Sequence, residues 1–176
     1  MATTLPPQEI EVYTPCRPGL TPNPRDQQMQ TVHAQAYGDW LVEYQWTHFV
    51  TLTVSPRGGK WDVGRAGRCL RSTPGVLRAF KDEFHRQCTK VAGGPVLYIV
   101  SVEGGLFGDN PHVHALLYGT EMIAPERLQS AWRHGRAKVE VYDPTKAAAY
   151  YVAKEAAQDD FTLEMSKTLP PRRAHD

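Results

Sequence analysis

The chain has 176 residues, enough for one domain with a real core and short for two. Its 20 basic and 19 acidic side chains leave a formal charge of +1, which excludes a uniformly basic surface but leaves room for a local basic groove. No stretch approaches the roughly 18 apolar residues of a membrane span, and MATTLPPQEI lacks the basic-then-apolar order of a secretory leader. Cys16, Cys69 and Cys88 are scattered without C-x-x-C spacing, so they read as reduced thiols of a cytoplasmic protein.

Residues 1–45 read as an irregular arm, because YTPCRPGLTPNPRD carries four prolines and few large aliphatics. Trp40, Tyr44 and Trp46 mark where that arm docks on the body. THFVTLTVS (47–55) alternates β-branched and aromatic residues as a strand does, with Phe49, Thr51 and Thr53 on one face. The loop PRGGKWDVGRAGR follows. Its Arg57, Lys60, Trp61, Arg65 and, just beyond, Arg68 combine charge with an aromatic ring and are candidate nucleic-acid contacts. The same composition also describes a solvated loop.

Thr73 and Pro74 form a helix start, and Leu77, Phe80, Phe84, Cys88 and Val91 recur at helical spacing up to Gly93-Gly94. PVLYIVSVEGG (95–105) is an apolar second strand, and PHVHALLYG a third. Pro125 opens a short helix with Leu128 and Trp132 as its buried pair. RAKVEVYD (136–143) is a fourth strand, and Asp143-Pro144 begin a last helix, PTKAAAYYVAKEAAQ. This order predicts an α+β fold, a mainly antiparallel sheet of four or five strands with flanking helices, over residues 46–160. Residues 161–176 read as a polar, loose tail.

Chemistry gathers on the third strand. His112 and His114 point the same way because side chains alternate with a period of two. A lone His-x-His is most often structural, but Glu103 ends the preceding strand only nine residues earlier. A hairpin would bring the carboxylate and both imidazoles together, a set suited to a divalent ion. On the last helix Ala148, Ala149, Val152 and Ala156 form a small inward face, with Tyr151, Glu155 and Gln158 at its margin and Tyr150 nearly opposite. Lys154 lies one turn from both tyrosines.

Glu103, PHVHALL and YVAKE, preceded by FVTLTV at 49–54, resemble in order and spacing the HUH endonucleases. They look most like the single-tyrosine replication initiators of rolling-circle plasmids, phages and small circular DNA viruses. The resemblance implies a ferredoxin-like or RRM-like sheet. It makes His112, His114 and Glu103 ligands of Mn2+ or Mg2+, with Glu155 a further candidate, and it makes Tyr151 the nucleophile and Lys154 its helper. Tyr150 directly precedes Tyr151 and stands as the alternative nucleophile. The implied activity is nicking and joining of single-stranded DNA at a replication origin through a 5′-phosphotyrosine link, in the cytoplasm of a prokaryote that hosts a plasmid or phage. An origin hairpin and a host helicase are compatible partners. A single-tyrosine transposase shares the motif order, and a non-catalytic nucleic-acid-binding module is the alternative of another class.

Overall fold

The computed structural model describes residues 24–55, 73–103, 111–156 and 163–174. Five strands form one sheet of order β4-β1-β3-β2-β5: β1 His48–Val54, β2 Leu97–Glu103, β3 His112–Tyr118, β4 Gly135–Val141 and β5 Leu163–Met165. Every neighbouring pair is antiparallel. Helix α2 joins β1 to β2, and the short α3 (Pro125–Gln129) joins β3 to β4. The resulting β-α-β-β-α-β order is the ferredoxin-like arrangement, so the expected α+β architecture is present.

Alternation along the strands separates two faces. Val50, Leu52, Val54, Val100, Val102, Val113, Ala115 and Leu117 point to one side and are buried. They pack beneath α2 with Val76, Phe80, Phe84 and Cys88, and beneath the α3 segment with Leu128 and Trp132. Each large apolar side chain so covered contributes about 1.5–3 kcal/mol relative to exposure. Helix α2 runs through Thr73–Ala79, a π-helical stretch Phe80–His85 and Arg86–Ala92. It ends at Gly93, whose φ of 69° is the left-handed cap that glycine takes without a Cβ clash. Its His85 Nε2 donates to the Val96 carbonyl at 2.7 Å, tying the helix to the start of β2. Burial pushes the Cys88 thiol up to about 12, as befits an inert packed thiol.

His48 is the polar exception on this face, only 2% exposed. Thr47 Oγ1 donates to the Leu117 carbonyl at 2.9 Å and lies 2.8 Å from Thr120 Oγ1, which lies 2.8 Å from His48 Nδ1. With the Thr47 proton committed to Leu117, Thr120 donates to Thr47 and His48 Nδ1–H donates to Thr120. Burial lowers the His48 pKa below its usual value, against an opposing pull from Glu121, so the ring is neutral.

Two expectations need correction. The irregular arm expected over residues 1–45 includes a helix, α1, Pro24–Val42. Pro24 is the last of the proline cluster and stands at a helix start, where its missing N–H costs nothing. No proline follows until Pro56. The tail expected to be loose supplies β5, which pairs with β2. It is pinned by a Lys81–Glu164 ion pair at 2.9 Å and by a bridge between Tyr44 and Arg172. The last helix, α4, is Ala148–Ala156. It begins later than Asp143-Pro144, because Asp143 Oδ1 instead accepts bonds from the Thr145 amide and hydroxyl in a turn.

Helices α1 and α4 cover part of the second face. Leu41, Trp46, Ile99, Leu116, Ala149, Val152 and Ala153 form a second cluster there, with Tyr44 and Tyr142 at its border. The sheet is thus covered fully on one side and half on the other. The uncovered half holds the histidines.

Candidate active site

Cross-strand register builds the site. On the half-open face, His114 sits between Thr51 of β1 and Ser101 of β2, and His112 sits between Thr53 and Glu103. Directly opposed residues share a face, so the hairpin expected between β2 and β3 brings Glu103 onto the histidine side. Glu103 Oε2 lies 3.6 Å from His114 Nε2. On the other side of each ring, Thr53 Oγ1 and His112 Nδ1 share a 3.1 Å hydrogen bond, and Thr51 Oγ1 and His114 Nδ1 lie 3.4 Å apart. A threonine that accepts from Nδ1–H leaves the Nε2 lone pair free to bind something else.

His114 is held below its ordinary pKa chiefly by burial. Glu103 pulls it up, and His112 and Lys154 push it down. Phe49 stacks on its ring at 6.1 Å between centroids, with the planes 7° apart. The ring is therefore neutral and fixed in orientation.

The small inward face of α4 lets the helix approach the sheet closely: Ala149 and Val152 are fully buried. Tyr151 emerges at the edge of that contact, 57% exposed, with its ring centroid 6.4 Å from that of His114. Tyr150 goes elsewhere. Its hydroxyl donates to Asp39 Oδ1 of α1 at 2.6 Å, and that carboxylate raises its pKa. Its ring lies on Gly38, where an added Cβ would fall inside the ring. The two adjacent tyrosines thus have different surroundings, one against the histidines and one locked to α1.

Among the described residues no group of three or more histidine, cysteine or acidic side chains is arranged to hold a metal. The site as it stands is a two-donor pair, Glu103 with His114, flanked by His112 one register step away. In kind, the donors suit a divalent cation: a neutral imidazole with its Nδ1 engaged, a second imidazole on the same face and a carboxylate. Of Glu155, only its backbone place in α4 is described. Arg57, Lys60, Trp61, Arg65 and Arg68 lie outside the described residues.

Four side chains were not recognised from the sequence as part of this face. Thr51 and Thr53 were placed on a common face but not against the histidines. Arg136 and Lys138 on β4 oppose Thr53 and Thr51, and both are exposed. They extend the histidine face into a basic edge. The alternation in RAKVEV carried that signal, but its direction depends on which strand β4 pairs with. Lys138 also meets Glu140 at 2.8 Å, an exposed pair of little energetic weight.

Fold and side chains together define an α+β domain whose polar residues collect on one half-open sheet face beside a tyrosine-bearing helix. The chain belongs to the replication-associated protein ORF2 family, whose model matches residues 47–160. It is thereby a member of a family of rolling-circle replication initiators, with a role in replication initiation and in binding DNA at an origin. Neither the curated proteins nor the solved structures include a match to it. Among the described residues, no helix is long and apolar enough to cross a membrane.

Proposed function

We propose that the chain nicks and rejoins single-stranded DNA, with Tyr151 as nucleophile and a divalent cation, Mn2+ or Mg2+, at His112, His114 and Glu103. The observation that carries this reading is the divergence of the tyrosines. Tyr151 stands exposed against His114, whereas the Tyr150 hydroxyl is bonded to Asp39 and its phenolate is disfavoured by that carboxylate.

Tyr151 Oη attacks phosphorus as the 3′ oxygen leaves in line. The phenol gives up its proton, the departing oxygen takes one, and a 5′-phosphotyrosine link replaces the phosphodiester. One phosphate ester is exchanged for another, so a 3′ hydroxyl reverses the step and rejoins the strand. Lys154, one turn from Tyr151, supplies positive charge to the phenolate and the phosphate. Glu103 and the Nε2 atoms of the histidines hold the cation, which when bound supplies Lewis-acid polarisation of the phosphate. Thr51 and Thr53 hold the rings in register. Arg136 and Lys138 draw the strand across the sheet.

The test is incubation of the chain with mixed-sequence single-stranded DNA and Mn2+ or Mg2+, followed by denaturing electrophoresis. Covalent adducts are expected with the parent and with Tyr150→Phe, and none with Tyr151→Phe. Adducts that survive Tyr151→Phe and vanish in Tyr150→Phe would reverse the assignment. An absence of adducts on linear and hairpin libraries alike would sink the nicking reading and favour a binding module.

A further inference from the structure

A groove of about 250 Å³ lies between α1 and α4, lined by Ala34, Gln35, Ala147, Tyr150, Tyr151 and Lys154. It is smaller than the cavities that take drug-sized ligands, which suits it to a single planar ring system. Its walls are two alanines and two tyrosine side chains, an apolar and aromatic surface of the kind on which nucleobases stack. Lys154 adds the one cationic group of the lining, placed for a phosphate. The Tyr150 wall is rigid, because its ring rests on Gly38 and its hydroxyl is bonded to Asp39. Gln35 Nε2 donates to the same Asp39 oxygen at 3.0 Å, which orients the amide and leaves Oε1 as the acceptor it can offer a ligand.

Tyr151 belongs to both places: it lines this groove and stands against His114. A nucleotide joined through its 5′ phosphate to Tyr151 has its base within one nucleotide's reach of the groove. We propose that the α1–α4 groove binds a nucleoside 5′-phosphate unit of the DNA strand, the one immediately 3′ of the cut. Gln35 Oε1 accepts from the exocyclic amino group of its base and so favours adenine or cytosine over thymine. The position relative to the cut rests on the nicking reading above; the groove's affinity for a nucleotide does not.

The test therefore has two arms. In the first, the full chain without metal is titrated with dAMP, dCMP and dTMP, followed by saturation-transfer NMR. The amino-bearing nucleotides are expected to bind about three- to tenfold more tightly than dTMP, the worth of one hydrogen bond. Gln35→Leu should erase that difference. Ala34→Phe and, independently, Ala147→Leu should abolish binding by filling the groove, with circular dichroism reporting that each variant is folded. Binding that is indifferent to both filling variants, or an absence of base preference, overturns the proposal. In the second arm, DNA trapped in covalent adducts is sequenced. Adenine or cytosine enriched directly 3′ of the cut supports the assignment, and an unbiased base there overturns it even though nicking stands. Nucleotide binding that responds to the groove variants, with no adduct on any strand, supports the groove site and refutes the nicking reading alone.

Discussion

Gly38→Ala tests the contact that orients the tyrosine helix. In the interior of an ordinary helix this substitution is favourable by about 1 kcal/mol, because alanine loses less backbone freedom. Gly38 lies inside α1 and is buried, and a Cβ built there meets the Tyr150 ring, with Cγ 2.8 Å away and two further ring carbons closer still. Real Cβ atoms do not sit so close, so α1, α4 or the ring must move. Overpacking of this kind costs about 1–3 kcal/mol. Set against the propensity gain, the net effect is a loss of about 0–2 kcal/mol. Removing the ring first should reverse the sign: on a Tyr150→Ala background, Gly38→Ala should stabilise by about 1 kcal/mol. The coupling energy of the cycle is then the overpacking itself, about 1–3 kcal/mol, within the range found for residues in contact. Urea unfolding of the parent, the two single variants and the double variant, followed by circular dichroism, measures it. If Gly38→Ala stabilises equally on both backgrounds, the ring-on-glycine contact does not hold α1 to α4 and the reasoning fails.

Other expectations concern the sheet. Thr53→Val keeps a β-branched side chain in the strand but removes the oxygen bonded to His112 Nδ1; Mn2+ affinity measured by calorimetry should fall about 10- to 100-fold, and an unchanged affinity would remove His112 from the proposed ligand set. Arg136→Ala with Lys138→Ala should weaken single-stranded DNA binding across sequences and flatten the plot of log K against log salt by about 0.7 per lost phosphate contact. An unchanged slope would take the basic edge off the DNA path. Because the pKa of His48 is lowered in the folded chain, the unfolded chain takes up that proton first as pH falls through its ordinary value near 6.5. The stability His48 brings is full above that value and is lost below it. Melting temperatures between about pH 7.5 and 5.5 should therefore fall less steeply in His48→Gln than in the parent, and parallel curves would contradict the neutral, buried ring.

Much of this was legible in the sequence because it rests on periodicity. Strands β1 to β4 and helix α2 each carry several apolar residues at the spacing of their element, and the Gly93 cap falls where the pattern stops. The site's central trio was legible for the same reason: a period of two puts His112 and His114 on one face, and a short loop after Glu103 implies a hairpin. Helix α1 escaped because among its described side chains only Gly38 and Leu41 are buried, too few to draw an apolar stripe. Strand β5 escaped because three residues cannot establish an alternation. Arg136 and Lys138 escaped because register between strands distant in sequence is a tertiary property. Partial cover of the histidine face was hidden with α1, since α1 and α4 bury Leu116 and Ile99 while leaving the imidazoles clear.

The paired tyrosines show how one omission affected the other readings. Successive residues on a helix lie about 100° apart, so fixing one of two adjacent side chains fixes the direction of the next. Tyr150 is fixed twice, by the flat contact with Gly38 and by the bond to Asp39, and both partners belong to α1. With Ala149 and Val152 buried toward the sheet, that anchor leaves Tyr151 a single outward direction, beside His114. Read without α1, YY is a choice between two equivalent phenols. With α1 in place, Tyr150 is an anchor whose carboxylate partner opposes its ionisation, and the choice rests on a helix whose own sequence gives little sign that it forms.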